Sequence, residues 1–319
     1  MDAPAKIPLE SAKPASRVIE YTRYDPEYAP LPFGLHNTGV ICWFNSTLQF
    51  ILSISSLNQT ILEFEGKLNP FAACYRELLS KLLPTDISSS NVTEIQSLGW
   101  AAEYSRKLLL LLVEGKKNSR LITGQQCADE GYTEVIDSFE QIIIENLFTN
   151  VYLNVIVCPQ CKKVVSSLRD KAIRIGVPTH QTFQTESEFK YWLANHITYV
   201  DYKCENCPIT NRNIKRVNQL KTLREVIVLT FDMFDRRSKV WYPDSVSFQS
   251  TPETGGGVLK YELVAKIEWS GSTHPSGASS GHYWANCKRN GKWYDLNDSS
   301  VREGRSGYDR TYMVAYHLA

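Results

Sequence analysis

The chain has 319 residues, 43% of them hydrophobic, with 35 Lys and Arg against 34 Asp and Glu and a formal net charge of +1. That length and apolar content supply a full core for one large domain or two small ones. The balanced charge argues against nucleic acid or an anionic membrane as the partner.

The longest apolar run, Leu108 to Val113, is far short of the roughly 18 residues that span a bilayer. The first residues, MDAPAKIPLESAKPAS, have no apolar h-region of a secretory signal, so a reducing location, cytoplasmic or nuclear, is expected. In such a compartment eight cysteines point to metal binding or catalysis rather than disulfides.

Residues 1–32 are rich in Pro and Ala without sustained periodicity and read as a flexible tail that becomes ordered near Phe33. Phe44, Leu48, Ile51 and Leu52 fall at helical spacing and predict a helix from Trp43 to about Ser55. Further helices are expected over Pro70–Leu83, Leu98–Val113 and Gln126–Leu147, the last from Ala128, Val135, Phe139, Ile142 and Ile143.

Beyond residue 150 the character changes. VYLNVIVC, KVVSSL, IKRVNQL, REVIVLTF, VLKYELVAKIEW, HYWANCKR, KWYDL and TYMVAYHL are short, rich in Val, Ile, Tyr and Trp, and bounded by breakers. They read as strands of an antiparallel sheet, interrupted by one helix near Glu186–His196. Long loops are expected at Thr251–Gly257 and Ser270–Gly281. Helices first and sheet second make an α+β fold.

Two knuckles, CPQC at Cys158 and Cys161 and CENC at Cys204 and Cys207, are separated by 42 residues. Two thiolates three residues apart chelate one ion from a tight turn, and two such turns complete a tetrahedral zinc site. The first knuckle is expected at a hairpin tip. With four cysteines there is no open position for water, so such a zinc is structural.

Cys42 stands where a helix begins, after NTG, where amides and dipole favour a thiolate. Asn37 lies five residues upstream on the same loop and is a candidate oxyanion donor. Taken alone, a Cys before Trp-Phe is more often core packing. His282 follows a Gly/Ser-rich loop at the head of a strand, and a second strand ends about fifteen residues later in LND. An antiparallel hairpin of that length brings Asn297 or Asp298 back beside His282, and either side chain can orient an imidazole. The alternative is a surface histidine and a plain turn.

GLHNTGVICWFNSTLQF resembles the cysteine box of the ubiquitin-specific proteases, G-L-x-N-x-G-x-x-C-x-x-N-S-x-L-Q, through Gly34, Leu35, Asn37, Gly39, Cys42, Asn45, Ser46, Leu48 and Gln49. GHYWANCKRNGKWYDLND is similar to the histidine box of that family, with Gly281, His282, Tyr283, Ala285, Trp293 and Asp298 in register. QQCADEGYTEVID resembles its middle Q-D-A-x-E-F helix through Gln126, Ala128 and Glu130. The knuckles lie between the boxes, where the family carries zinc-bearing fingers. Departures are Val40 and Ile41 before the cysteine, Trp43 after it, Cys127 and Gly131 in the middle helix, and Asn297 where many members have Asp.

The resemblance implies a papain-like right hand with a helical thumb (33–150), zinc-tipped β fingers (151–225) and an antiparallel β palm (226–319). It implies a monomeric thiol deubiquitinase acting on ubiquitin and ubiquitinated proteins, with neither nucleic acid nor membrane as partner. Cys42 is then the nucleophile and His282 the base, with Asn297 or Asp298 orienting the imidazole and Asn37 binding the oxyanion. The loop Ser270–Gly281 would gate the channel. Two other classes stay open: an inactive ubiquitin-binding protein of the same fold, and a zinc-stapled interaction scaffold.

Overall fold

Apolar periodicity makes the first half of the chain helical. The computed structural model describes residues 22–83, 99–124, 126–178, 180–207, 210–232, 240–249, 257–273 and 279–319. Helix α1 (Cys42–Ile51) is buried at every position, with Trp43, Phe44, Leu48, Phe50 and Ile51 wholly enclosed. The expected helix to Ser55 instead stops at Ile51, and a separate α2 (Ser55–Glu63) follows.

Helix α3 (Pro70–Leu82) is capped by Asn69, whose side chain accepts the Ala72 amide at 3.0 Å, with Pro70 in the first turn. Then come α4 (Gly99–Lys116), α5 (Arg120–Thr123), α6 (Ala128–Ile136) and α7 (Gln141–Leu147). The single helix expected over Gln126–Leu147 is thus two. The break buries Phe139 edge-on against Phe71 and Tyr75, and Glu140 turns back to accept the Asn69 amide at 2.6 Å. None of the described helices is long and apolar enough to cross a membrane.

The remaining elements are β1 (Asn150–Val157), β2 (Val164–Ala172), β3 (Ile175–Val177), α8 (Glu186–Asn195), β4 (His196–Lys203), β5 (Thr210–Thr222), β6 (Val226–Phe231), β7 (Ser245–Gln249), β8 (Val258–Thr273), β9 (Ser279–Arg289), β10 (Lys292–Asn297), β11 (Ser300–Glu303) and β12 (Thr311–Leu318). One antiparallel sheet has the order β2-β1-β5-β4. The other runs β11-β10-β9-β8-β12-β6-β3, with β7 also paired to β8.

Strands β6 and β12 are buried throughout, because helices cover one face of the large sheet and α8 with its aromatic neighbours covers the other. This explains their mostly apolar character, with Thr230, Thr311 and His317 as buried polar exceptions. Two placements differ from expectation. Strand β3, within the stretch assigned to the fingers, pairs with β6 of the large sheet, and does so in parallel. The Phe189 side of α8 also packs on that sheet, its ring 5.9 Å from Tyr316.

The start of order also differs from the expected Phe33. Residues from Thr22 are held: the Tyr24 amide donates to Leu318 O at 2.8 Å, the Asp25 amide to Ser55 Oγ at 3.0 Å, and Asn58 Nδ2 to Tyr28 O at 2.7 Å. Residues 1–21 lie outside the described residues. Strands β8 and β9 continue through most of the loop expected at Ser270–Gly281, pairing as far as Thr273 with Ser279. Residues 274–278, and 251–256 of the other expected loop, lie outside the described residues.

Candidate active site

Cys42 is the first residue of α1 and only 4% exposed. Burial pushes its thiol up; the backbone amide of Tyr283 is the chief opposing influence, the Asp298 charge adds to the rise, and the amides of Trp43 and Cys42 oppose it. The helix start therefore moderates the thiol without outweighing desolvation. The Tyr283 contact puts the sulfur beside the residue that follows His282.

The histidine arrives on a hairpin. Strands β9 and β10 are joined by Asn290 and Gly291, at φ 48° and 80°, a two-residue turn whose twist suits paired strands. His282 Nε2 lies 2.7 Å from Asn297 Oδ1 and 3.7 Å from Asp298 Oδ2. Trp284, two residues along the same strand, stacks on the imidazole with centroids 6.0 Å apart and an angle of 18°.

Asp298 occupies the left-handed region at φ 48°, in the tight turn into β11. Its carboxylate gathers the site: Oδ2 accepts Asn37 Nδ2 at 3.1 Å and Oδ1 accepts Asn45 Nδ2 at 3.0 Å. Asn37 Oδ1 in turn accepts the Gly39 amide at 3.0 Å. The approach of this loop is a backbone contact. Leu35 donates to Asp298 O at 2.8 Å, and a Cβ on Gly34 would lie 2.6 Å from Ser299 O, so only glycine fits there.

Cys42, His282, Asn297, Asp298 and Asn37 thus come from three separated segments to one place. Two contributors escaped sequence reasoning as site residues. Asn45 lies one turn into α1 and is tied to Ser105 Oγ at 3.3 Å as well as to Asp298; its signal was the Asn three residues after the cysteine. Trp284 carried no signal short of knowing that its strand face is that of His282.

The departures around the cysteine also find places. Ile41 is buried in the main core, whereas Val40 faces outward. Trp43 and Gly131 fit one another: a Cβ on Gly131 would fall 2.3 Å from the Trp43 ring. The indole fills the space that a side chain on α6 would need. Cys127 Sγ sits 2.7 Å from Tyr312 Oη and 3.1 Å from Asp129 Oδ1.

Away from this site, Cys158, Cys161, Cys204 and Cys207 converge with all four sulfurs within 4.8 Å of one another. The first pair lies in the β1–β2 turn and the second between β4 and β5. The Cys158–Cys207 and Cys161–Cys204 sulfurs are 4.0 and 3.8 Å apart. Four thiolates about 2.3 Å from one tetrahedral ion would be about 3.8 Å apart, so the set has the size of a zinc cage. The four thiols share their protons unequally: the Cys161 and Gln160 amides lower the Cys158 thiol, while burial and its neighbouring thiols raise that of Cys207.

Known proteins resemble the chain in family and in fold. The family model for ubiquitin carboxyl-terminal hydrolase matches residues 33–316. A curated relative, probable ubiquitin carboxyl-terminal hydrolase 16 of Schizosaccharomyces pombe, is 23% identical over 318 residues. That match covers 89% of this chain, and the chain spans 66% of the relative's length. Among solved structures, a SAGA DUB module of Ubp8, Sgf11, Sus1 and Sgf73 bound to monoubiquitin matches at TM-score 0.66 and 18% identity, over 94% of this chain and 72% of that one. The same module bound to ubiquitin aldehyde matches at TM-score 0.61 and 18% identity, over 92% and 70%. At that identity the likeness is one of fold: the helices and two sheets are arranged alike.

Proposed function

The chain belongs to the ubiquitin carboxyl-terminal hydrolase family, and from that premise we propose that it is a thiol deubiquitinase cleaving the peptide or isopeptide bond after the C-terminal glycine of ubiquitin. The observation that carries the reading is the 2.7 Å contact of His282 Nε2 with Asn297 Oδ1 beside the Cys42 thiol. An amide oxygen only accepts, so Nε2 holds the ring proton and Nδ1 keeps its lone pair. That tautomer is the one a general base needs.

Because burial keeps Cys42 protonated at rest, attack is coupled to transfer of the thiol proton to His282 Nδ1. The sulfur adds to the carbonyl carbon of the glycine. The oxyanion is bound by the Cys42 amide and by the Asn37 N–H not committed to Asp298; one such donor is typically worth about 2.7–4 kcal/mol of barrier. The imidazolium then protonates the departing lysine amine, leaving a thioester. Water, deprotonated by the same imidazole, hydrolyses it and frees the thiol. Asn297 orients the ring directly, and Asp298 holds Asn37 and Asn45 around it.

The four cysteines would hold zinc as a closed structural site, tying the two hairpin tips of the small sheet and supplying no Lewis acid to the reaction. Val157, Val164, Ile197 and Tyr199 are exposed apolar side chains on one face of that sheet, where Lys215 also lies opposite Tyr199. A folded partner the size of ubiquitin has a surface to grip there.

The test is hydrolysis of a fluorogenic ubiquitin conjugate. Wild type should turn over, and Cys42→Ala should lose about 10⁴-fold or more. An inert wild type that still binds ubiquitin would instead indicate the binding protein. No binding at all would indicate the scaffold.

A further inference from the structure

We infer that Arg289 is a positioning residue for the reaction, because one buried network through its guanidinium joins the strand of His282, the helix of Cys42 and the segment of Asn37. The inference rests on the deubiquitinase reading for its kinetics, though not for its geometry.

Arg289 ends β9 and is 0% exposed. Among the described residues it has no carboxylate partner. Its Nη1 donates to Ser53 Oγ, and its Nη2 to Gln49 O at 2.8 Å and to Gln49 Oε1 at 3.3 Å. Gln49 Nε2 donates onward to Phe33 O at 2.7 Å, at the root of the segment that carries Asn37. Three backbone stretches are thereby tied at one point.

The charge is met by two carbonyl oxygens of Gln49 and the Ser53 hydroxyl. Gln49 lies in the last turn of α1, where the exposed C=O end of a helix carries about half a negative charge. Cys42 lies seven residues back on α1, about 10 Å along the axis. His282 lies seven residues back on β9, about 23 Å along the strand. The guanidinium thus pins the far ends of the two elements whose near ends present thiol and imidazole, and a small slip at the pin changes their approach.

Stability alone does not account for a cation here. A buried charge is expensive, and an apolar side chain of similar volume is often neutral or stabilising. Replacement need not orphan the carbonyl either, since Gln49 O also accepts from Ser53 Oγ at 3.0 Å and from the Cys287 thiol at 3.5 Å. Arg289→Met should therefore fold.

The experiment measures three quantities on wild type, Arg289→Met and Arg289→Lys: kcat and KM with a fluorogenic ubiquitin conjugate, the rate of Cys42 alkylation by iodoacetamide at pH 7, and the melting temperature. Expected for Arg289→Met is kcat lowered tenfold or more with KM within threefold, slower alkylation, and a melting temperature not below that of wild type. Arg289→Lys restores one donor and should fall between the two. If Arg289→Met does not fold, the same comparison is read on Arg289→Lys. Turnover and alkylation both within twofold of wild type overturn the inference. A wild type inert toward ubiquitin conjugates defeats the deubiquitinase reading while the alkylation comparison still decides the role of Arg289.

Discussion

Asn297 and Asp298 are neighbours in sequence, yet the turn that follows β10 gives them different work. Asn297 meets His282 Nε2 at 2.7 Å, and Asp298 spends its two oxygens on Asn37 and Asn45. Asn297→Ala should lower kcat by about 10²-fold or more, with KM little changed, because the imidazole loses its tautomer and orientation. Asp298→Asn keeps one acceptor oxygen and should cost less, about tenfold. Steady-state kinetics on both variants checks the order. A second residue-scale exchange is Trp43 against Gly131. Gly131→Ala should destabilise the fold by about 1–3 kcal/mol, the usual cost of overpacking a core. In a Trp43→Phe background the same change should cost measurably less, and a double-mutant cycle by denaturant unfolding reads the coupling. From the sequence these were two separate oddities; the structure makes them one contact.

At the scale of elements, helix α1 and the β9–β10 hairpin were legible. Helical spacing, a cysteine at a helix start and two strands a fixed distance apart are local signals. The break between α6 and α7 was not, because Phe139 and Glu140 continue a helical pattern while their partners, Phe71, Tyr75 and Asn69, lie some 70 residues away. Strand β4 was missed for a related reason: its pattern, intermediate then exposed along HITYVDYK, belongs to a sheet with little core beneath it. Such a sheet depends on its tip. Structural zinc in small finger peptides is worth about 10–16 kcal/mol. A strong chelator, or Cys204→Ser, should therefore raise amide exchange across β1, β2, β4 and β5. The large sheet should stay protected, and Cys42 should still react with a small alkylating agent. Uniform exposure of both sheets would show that the four cysteines support the whole fold rather than one part.

For the whole molecule, buried titratable groups set the response to pH. Burial holds His317, at 0% exposure, and His196 down to about 4, both below the usual 6.5. Between about 6.5 and 4 the unfolded chain binds protons that the folded one refuses, so these two groups make the fold lose stability as pH falls through that window. Glu225 acts oppositely. Burial raises its carboxyl to about 7 from 4.5, so its contribution is full below 4.5 and is lost as pH rises through 7. Glu268 and Asp295, also raised by burial, act in the same sense as Glu225, so the histidine contribution is a limb that its own variant must read. His317→Gln should flatten that limb, which urea midpoints at pH 7.5 and 5 would reveal.

The fold class, the cysteine and histidine boxes and the paired knuckles were determined by the sequence itself, because each rests on spacing within a few residues or on the order of motifs along the chain. Tertiary structure decided what those residues do to one another. It set Asn297 closer than Asp298 to the imidazole, made Asn45 part of the site and matched Gly131 to Trp43. It also placed Gly34 against Ser299 and buried Arg289 under α1. These are contacts between segments up to 265 positions apart, Gly34 and Ser299 being the farthest. Their distances follow from how helices and sheet pack as a whole, which no local pattern encodes.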